Sequence, residues 1–173
     1  MRVTMTTDQE ELSGSERISP GETETIPESE AAGQFPVLRS FLSSLCGEGG
    51  PFAALGYKLW DATDGSTSEP AVFASRIDLL ISNDRRRLDR TQYEDFASGV
   101  AKLLAREPSE SLSGELQVGR ARSADGSLEL CLRLVLFARA AGREQARLRW
   151  SLGLARVQQA LLFEARAVRQ GRG

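Results

Sequence analysis

The chain contains no histidine. No imidazole is present to act as general base, proton shuttle or metal ligand, and the usual activation of a serine or cysteine nucleophile is missing. Lysine is confined to Lys58 and Lys102, so nearly all positive charge is arginine. Arginine excess together with abundant alanine and leucine points to a GC-rich, bacterial genome. Cysteine occurs only at Cys46 and Cys131. Two thiols make no disulfide framework and cannot complete a zinc site without histidine or carboxylate help, so they read as reduced packing residues. Long apolar runs are also missing. None approaches the roughly 20 residues of a membrane span, and the best candidate is broken by Arg133 and Arg139. The first residues lack the apolar core of a signal peptide, which makes the cytoplasm the expected location. Nothing in the composition calls for a cofactor.

What is present fits an ordinary globular chain of 173 residues, with 40% hydrophobic and 27% charged residues. A net charge of −2 exerts no overall pull toward nucleic acid or anionic lipid. The charge is unevenly placed. Residues 1–34 carry Asp8, Glu10, Glu11, Glu16, Glu22, Glu24, Glu28 and Glu30 against Arg2 and Arg17, among Ser, Thr, Gly and Pro. Such a stretch buries too little apolar surface to offset its ordering entropy, so a disordered acidic tail is expected there. A single α+β domain is expected over 35–170.

Helical spacing begins at Pro36, with Val37, Leu38, Phe41, Leu42 and Leu45 recurring before Gly47 and Gly49-Gly50-Pro51. A hairpin follows. Leu55 to Ala62 forms its first arm, Asp64-Gly65 its turn, and Ala71 to Ser82 its second arm, with Phe73, Ser75, Ile77, Leu79 and Ile81 on one face. A capping box at Thr91 and Glu94 starts the next helix, whose stripe is Tyr93, Phe96, Ala97, Val100, Leu103 and Leu104. The second hairpin has Leu116 and Val118 in one arm and Asp125-Gly126 at its turn. Its other arm alternates Leu128, Leu130, Leu132, Leu134 and Leu136 with Glu129, Cys131, Arg133, Val135 and Phe137. Five buried leucines would contribute roughly 7–15 kcal/mol before entropy, which marks this strand as central. The order is α-ββ-α-ββ-α, an antiparallel sheet with a long C-terminal helix packed along it. The similar turns, Ala62-Thr63-Asp64-Gly65-Ser66 and Ser123-Ala124-Asp125-Gly126-Ser127, hint at a repeated plan.

The final helix, expected over about 143–169, is apolar on two sides. On a wheel of 100° per residue, one stripe holds Ala146, Trp150, Leu154, Val157, Ala160, Leu161, Ala165 and Val168. Roughly opposite lie Leu148, Leu152, Ala155, Leu162 and Phe163. Arg149 and Arg156 separate the stripes on one side, and Arg147, Ser151 and Gln158 on the other. A helix of this length spans about 40 Å and the leucine strand about 36 Å, so one stripe can lie along the sheet. The other needs separate cover, from the first helix, a second copy of the chain or a client.

Candidate chemistry is thin. Gly47-Glu48-Gly49-Gly50-Pro51 lacks the Gly-Lys-Ser/Thr of a phosphate-cradling loop. Asp61, Asp64 and Glu69 do not follow a calcium-loop pattern. Arg85, Arg86 and Arg87 form the densest basic cluster and, with Arg149 and Arg156, are candidate contacts for phosphates or an acidic partner. No aromatic residue is interleaved among Arg85–Arg87 for base stacking, and Asp84 and Asp89 dilute the charge, which argues against a nucleic-acid site. The element order over residues 35–169 and the acidic character resemble small acidic chaperones of bacterial type III secretion. That resemblance implies a non-enzymatic, dimerising protein-binding fold. The expected function is therefore a chaperone or adaptor that presents apolar surface of its sheet and last helix to a protein, with Leu148, Leu152, Ala155, Leu162 and Phe163 as the interface. The alternative is a ligand-binding or catalytic domain with a pocket between sheet and last helix, lined by Tyr57, Trp60 and Trp150.

Overall fold

A computed structural model describes residues 2–5, 23–26, 33–62, 70–82, 88–105, 112–123 and 126–170. Its elements are β1 (Arg2–Met5), β2 (Thr23–Ile26), α1 (Pro36–Cys46), β3 (Phe52–Ala62), β4 (Ala71–Ile81), α2 (Arg90–Ala105), β5 (Leu112–Arg122), β6 (Leu128–Ala140) and α3 (Arg143–Arg169). From residue 36 onward the order is the α-ββ-α-ββ-α expected from periodicity. The sheet order is β1-β5-β6-β4-β3-β2. The four long strands pair antiparallel, and the two hairpins meet through their second arms, β4 against β6. The repeated plan suggested by the two Asp-Gly turns thus takes the form of two hairpins facing each other across the sheet centre. The second turn is closed by Gly126 at φ +84°, whose N–H donates to the Ser123 carbonyl at 2.9 Å. The first turn, with Asp64 and Gly65, lies outside the described residues.

Within residues 1–34, two short strands lie at the edges of the sheet. Arg2–Met5 adds parallel to β5, and Thr23–Ile26 adds antiparallel to β3. An edge strand offers a row of unpaired N–H and C=O groups to any extended backbone, so this pairing leaves little trace in side-chain pattern. The rest of the acidic stretch up to residue 32 lies outside the described residues.

The sequence sets the other element ends through local chemistry. Pro36 occupies the first turn of α1, where its missing N–H costs nothing, and Leu38, Phe41 and Leu45 are buried. Strand β3 begins at Phe52, earlier than the Leu55 expected, because a bulge between Ala54 and Gly56 shifts register and hides the alternation. The cap of α2 also differs. Asp89, not Thr91, closes the box: its Oδ1 accepts from the Gln92 N–H, and the Gln92 Oε1 accepts from the Asp89 N–H, both at 2.9 Å. Glu94 turns instead to Arg90, one helical turn away.

All three helices lie on one face of the sheet, in a layer one helix thick among the described residues. Strand β4 buries Phe73, Ser75, Ile77 and Leu79 on that face, and β6 buries Leu132, Leu134 and Leu136. Leu130 is half-buried and Leu128 is exposed, so the leucine strand contributes about 5–9 kcal/mol, less than five buried leucines would. Trp150 of α3 is fully buried, edge-on to Phe73 at 4.9 Å and Phe35 at 5.8 Å. Its indole N–H donates to Ser75 Oγ at 2.8 Å, which satisfies both polar groups inside the core.

Candidate protein-binding face

Helix α3 is one unbroken 27-residue rod. Its inner side buries Ala146, Trp150, Leu154, Val157, Ala160, Leu161 and Ala165, as the first stripe predicts, along with Gly153. Val168, placed on the same stripe, is exposed because the last turn runs past the core. The N-terminal end is clamped to the sheet. Arg147 makes a forked bond to Asp61 Oδ2, with Nε at 3.0 Å, and Arg143 Nε approaches Oδ1 at 3.2 Å. The Arg147 guanidinium also lies within 5.6 Å and 5.7 Å of the Phe35 and Phe73 ring centroids. Further along, the Glu164 carboxylate sits over Gly99 of α2, so close that any side chain at residue 99 would displace it. Sheet, α1 and α2 thus hold the rod from below and from both sides.

Nothing among the described elements lies above it. Leu148 is 61% exposed, Leu152 60% and Phe163 60%, all on the outer side. Of the five residues expected at an interface, these three are presented to solvent. Ala155 and Leu162 are half-buried at the margin, with Leu162 packed against the core. Arg149 flanks the stripe and donates to the Arg139 carbonyl at 2.6 Å, which anchors its stem without neutralising its charge. Arg156 lies on the same flank, half-buried. Arg85, Arg86 and Arg87 lie outside the described residues. Covering the roughly 60% of each of these three side chains that is exposed would contribute about 3–5 kcal/mol in all, at roughly 1.5–3 per fully buried residue. Alone this supports only millimolar binding, so flanking groups must supply the remainder of any useful affinity.

The opposite face of the sheet holds a feature that strand alternation missed. Arg133 and Asp78, cross-strand partners, are only 2% and 4% exposed. Arg133 grips the carboxylate with Nε to Oδ1 at 2.6 Å and Nη2 to Oδ2 at 3.0 Å, and Arg76 Nη2 reaches Oδ2 at 3.0 Å. Alternation puts both residues on the strand faces opposite Phe73, Ile77 and the leucines. The signal was a lone charge among the apolar Cys131, Val135 and Phe137 of a central strand, which demands a buried counter-charge.

Of the three aromatics proposed to line a pocket, Tyr57 packs against the core on the helix side of the sheet. Trp60 pairs with Ala74 on the sheet face opposite the helices, whereas Trp150 is sealed beneath α3. Burial pushes the Cys46 thiol up to about 11. It pushes the Cys131 thiol to about 12, with the Asp78 carboxylate adding to the effect. Neither is a thiolate nucleophile at neutral pH. Among the described residues no group of three or more Cys, Asp or Glu is placed to hold a metal ion, and no helix is long and apolar enough to cross a membrane. No protein-family model, curated protein or solved structure matches the chain.

Proposed function

We propose that the chain is a non-enzymatic protein-binding module, a small chaperone or adaptor, that docks a partner on the outer side of α3 with the sheet as its rigid support. One observation carries this reading. Leu148, Leu152 and Phe163 line the outer side of a helix whose inner side is already fully used by the fold. Their exposure does nothing for the folded chain, and contiguous exposed apolar surface marks interaction sites. The clamp at Asp61 and the Glu164–Gly99 contact keep the rod straight, so the stripe is preorganised and little entropy is lost on docking. The module is proposed to work in the cytoplasm, where its unpaired thiols stay reduced.

The test compares tagged wild type with Leu152→Glu/Phe163→Asp, both shown to be folded by circular dichroism. The reading expects one partner recovered in constant proportion with wild type and lost with the variant. A recovered set that is the same for both chains rejects it.

A further inference from the structure

We infer that the sheet face opposite the helices carries a second binding site, for one anionic group, a carboxylate or a phosphate, held between Lys58 and Arg76 on an apolar body that rests against Trp60. The site lies across the sheet from the α3 face and does not depend on it.

Strand register makes the site. Lys58 of β3 and Arg76 of β4 are Cα partners, so their side chains leave the same face side by side, with Cβ atoms about 4.5–5.5 Å apart. Like charges set directly opposite each other cost a sheet stability. Asp78 does not offset both. It is 4% exposed and already takes Arg133 through Nε and Nη2. Arg76 turns its own Nε and Nη2 to Oδ2 of that carboxylate, and its Nη1 has no hydrogen-bond partner among the described residues. Lys58 is exposed and makes no ion pair among the described residues. The next carboxylate in this cross-strand row is Glu115: Arg76 pairs with Val135, and Val135 with Glu115. Two strand spacings, about 9–10 Å, separate it from Arg76, a distance at which salt screens strongly. Glu115 is also engaged, accepting from Gln117 Nε2 at 3.1 Å.

The surroundings set the kind of ligand. Trp60 follows Lys58 on the same face and is half-buried, with Ala74 as its Cα partner and Phe137 next in the row. The row is an apolar shelf beside the two cations. Strand β2 stops at Ile26, opposite Leu59, so it does not occupy the edge beside Lys58. An anion placed here meets a guanidinium edge and an ammonium, which suit carboxylate and phosphate alike. A bare inorganic ion would leave the shelf unused, so the group is carried on a flat apolar body that the indole can contact.

Fluorescence of Trp60 reads the site, because Trp150 is sealed in the core. The full chain is titrated with phenyl phosphate, benzoate and the neutral benzyl alcohol at ~20 mM salt. At least one anion is expected to give a saturable change at millimolar concentration, and the alcohol none over the same range. Lys58→Arg is expected to keep the response. Lys58→Glu is expected to weaken it at least about tenfold with an unchanged circular dichroism spectrum, because an ammonium is replaced by a like charge to the ligand. A response to phenyl phosphate alone assigns the group as phosphate, and one to benzoate alone assigns it as carboxylate. No saturable response to either anion overturns the inference. So does benzyl alcohol binding as tightly as the anions, or wild-type affinity in Lys58→Glu. A response that survives Trp60→Phe also overturns it, since the ligand then sits elsewhere.

Discussion

Replacing Asp78 with alanine is the sharpest test of the interior. The substitution removes the carboxylate that Arg133 grips at 2.6 Å and 3.0 Å and that Arg76 also contacts. Arg133 is 2% exposed, so its charge would stay buried with that counter-charge removed. Breaking a buried pair from one side costs about 3–5 kcal/mol. With two guanidinium groups losing the same partner, a value near 4 kcal/mol is expected, and the thermal midpoint should fall by about 8–16 °C for a chain of this size. Arg133→Met should cost less, because Asp78 keeps its contact with Arg76. The double variant Asp78→Leu/Arg133→Met should return to within about 1 kcal/mol of wild type, since apolar replacement of a whole buried pair is often neutral or stabilising. Urea unfolding with unchanged m-value reads all three directly. A loss below about 1 kcal/mol for Asp78→Ala, or a double variant as unstable as that single, would refute the claim that the pair is desolvated and mutually dependent.

Three further outcomes are expected. Asp89→Ala should cost about 1 kcal/mol by removing the cap of α2, whereas Thr91→Ala should stay within about 0.5 kcal/mol; equal losses in urea melts would return the cap to Thr91. Stability should decline in alkali. The fold raises the Cys131 thiol from 9.0 to about 12 and the Tyr93 phenol from 10.0 to about 12, chiefly by burial. Both groups are protonated in the fold, so their contribution is complete below about pH 9 and is lost as pH rises toward 12, because the unfolded chain gives up these protons first. The urea midpoint should fall over that range, with a later onset in Cys131→Ala, and a flat midpoint would contradict the assignment. Leu152→Glu and Phe163→Asp should each move the thermal midpoint by no more than about 2 °C, since both side chains are 60% exposed; a large loss would mean that they belong to the core.

Much of the fold was legible because it rests on repeating patterns. Helix α3 follows an apolar period that nothing interrupts, and its observed ends, Arg143 and Arg169, are where that period stops. Its outer stripe could be seen for the same reason: Leu148, Leu152 and Phe163 are out of phase with Trp150, Leu154 and Leu161, so one sheet cannot take both sets. Edge strands were not legible, because Arg2–Met5 and Thr23–Ile26 are held by backbone pairing, which any extended segment can offer. The α2 cap was only roughly legible. It was placed at Thr91–Glu94, two residues late, whereas the reciprocal bonds join Asp89 and Gln92. The Asp78–Arg133 pair joins residues far apart in sequence, and strand alternation gives each of them a face but no partner. Only the strand pairing of β4 with β6 brings the two charges together.

The most direct measurement places a photo-reactive phenylalanine analogue at residue 152 and irradiates the producing cells. A single adduct of defined mass is predicted, absent when Phe163→Asp is added and absent when the probe sits at Lys102, which is exposed on α2. No adduct from residue 152, or the same adducts from both positions, would contradict a docking role for the outer side of α3.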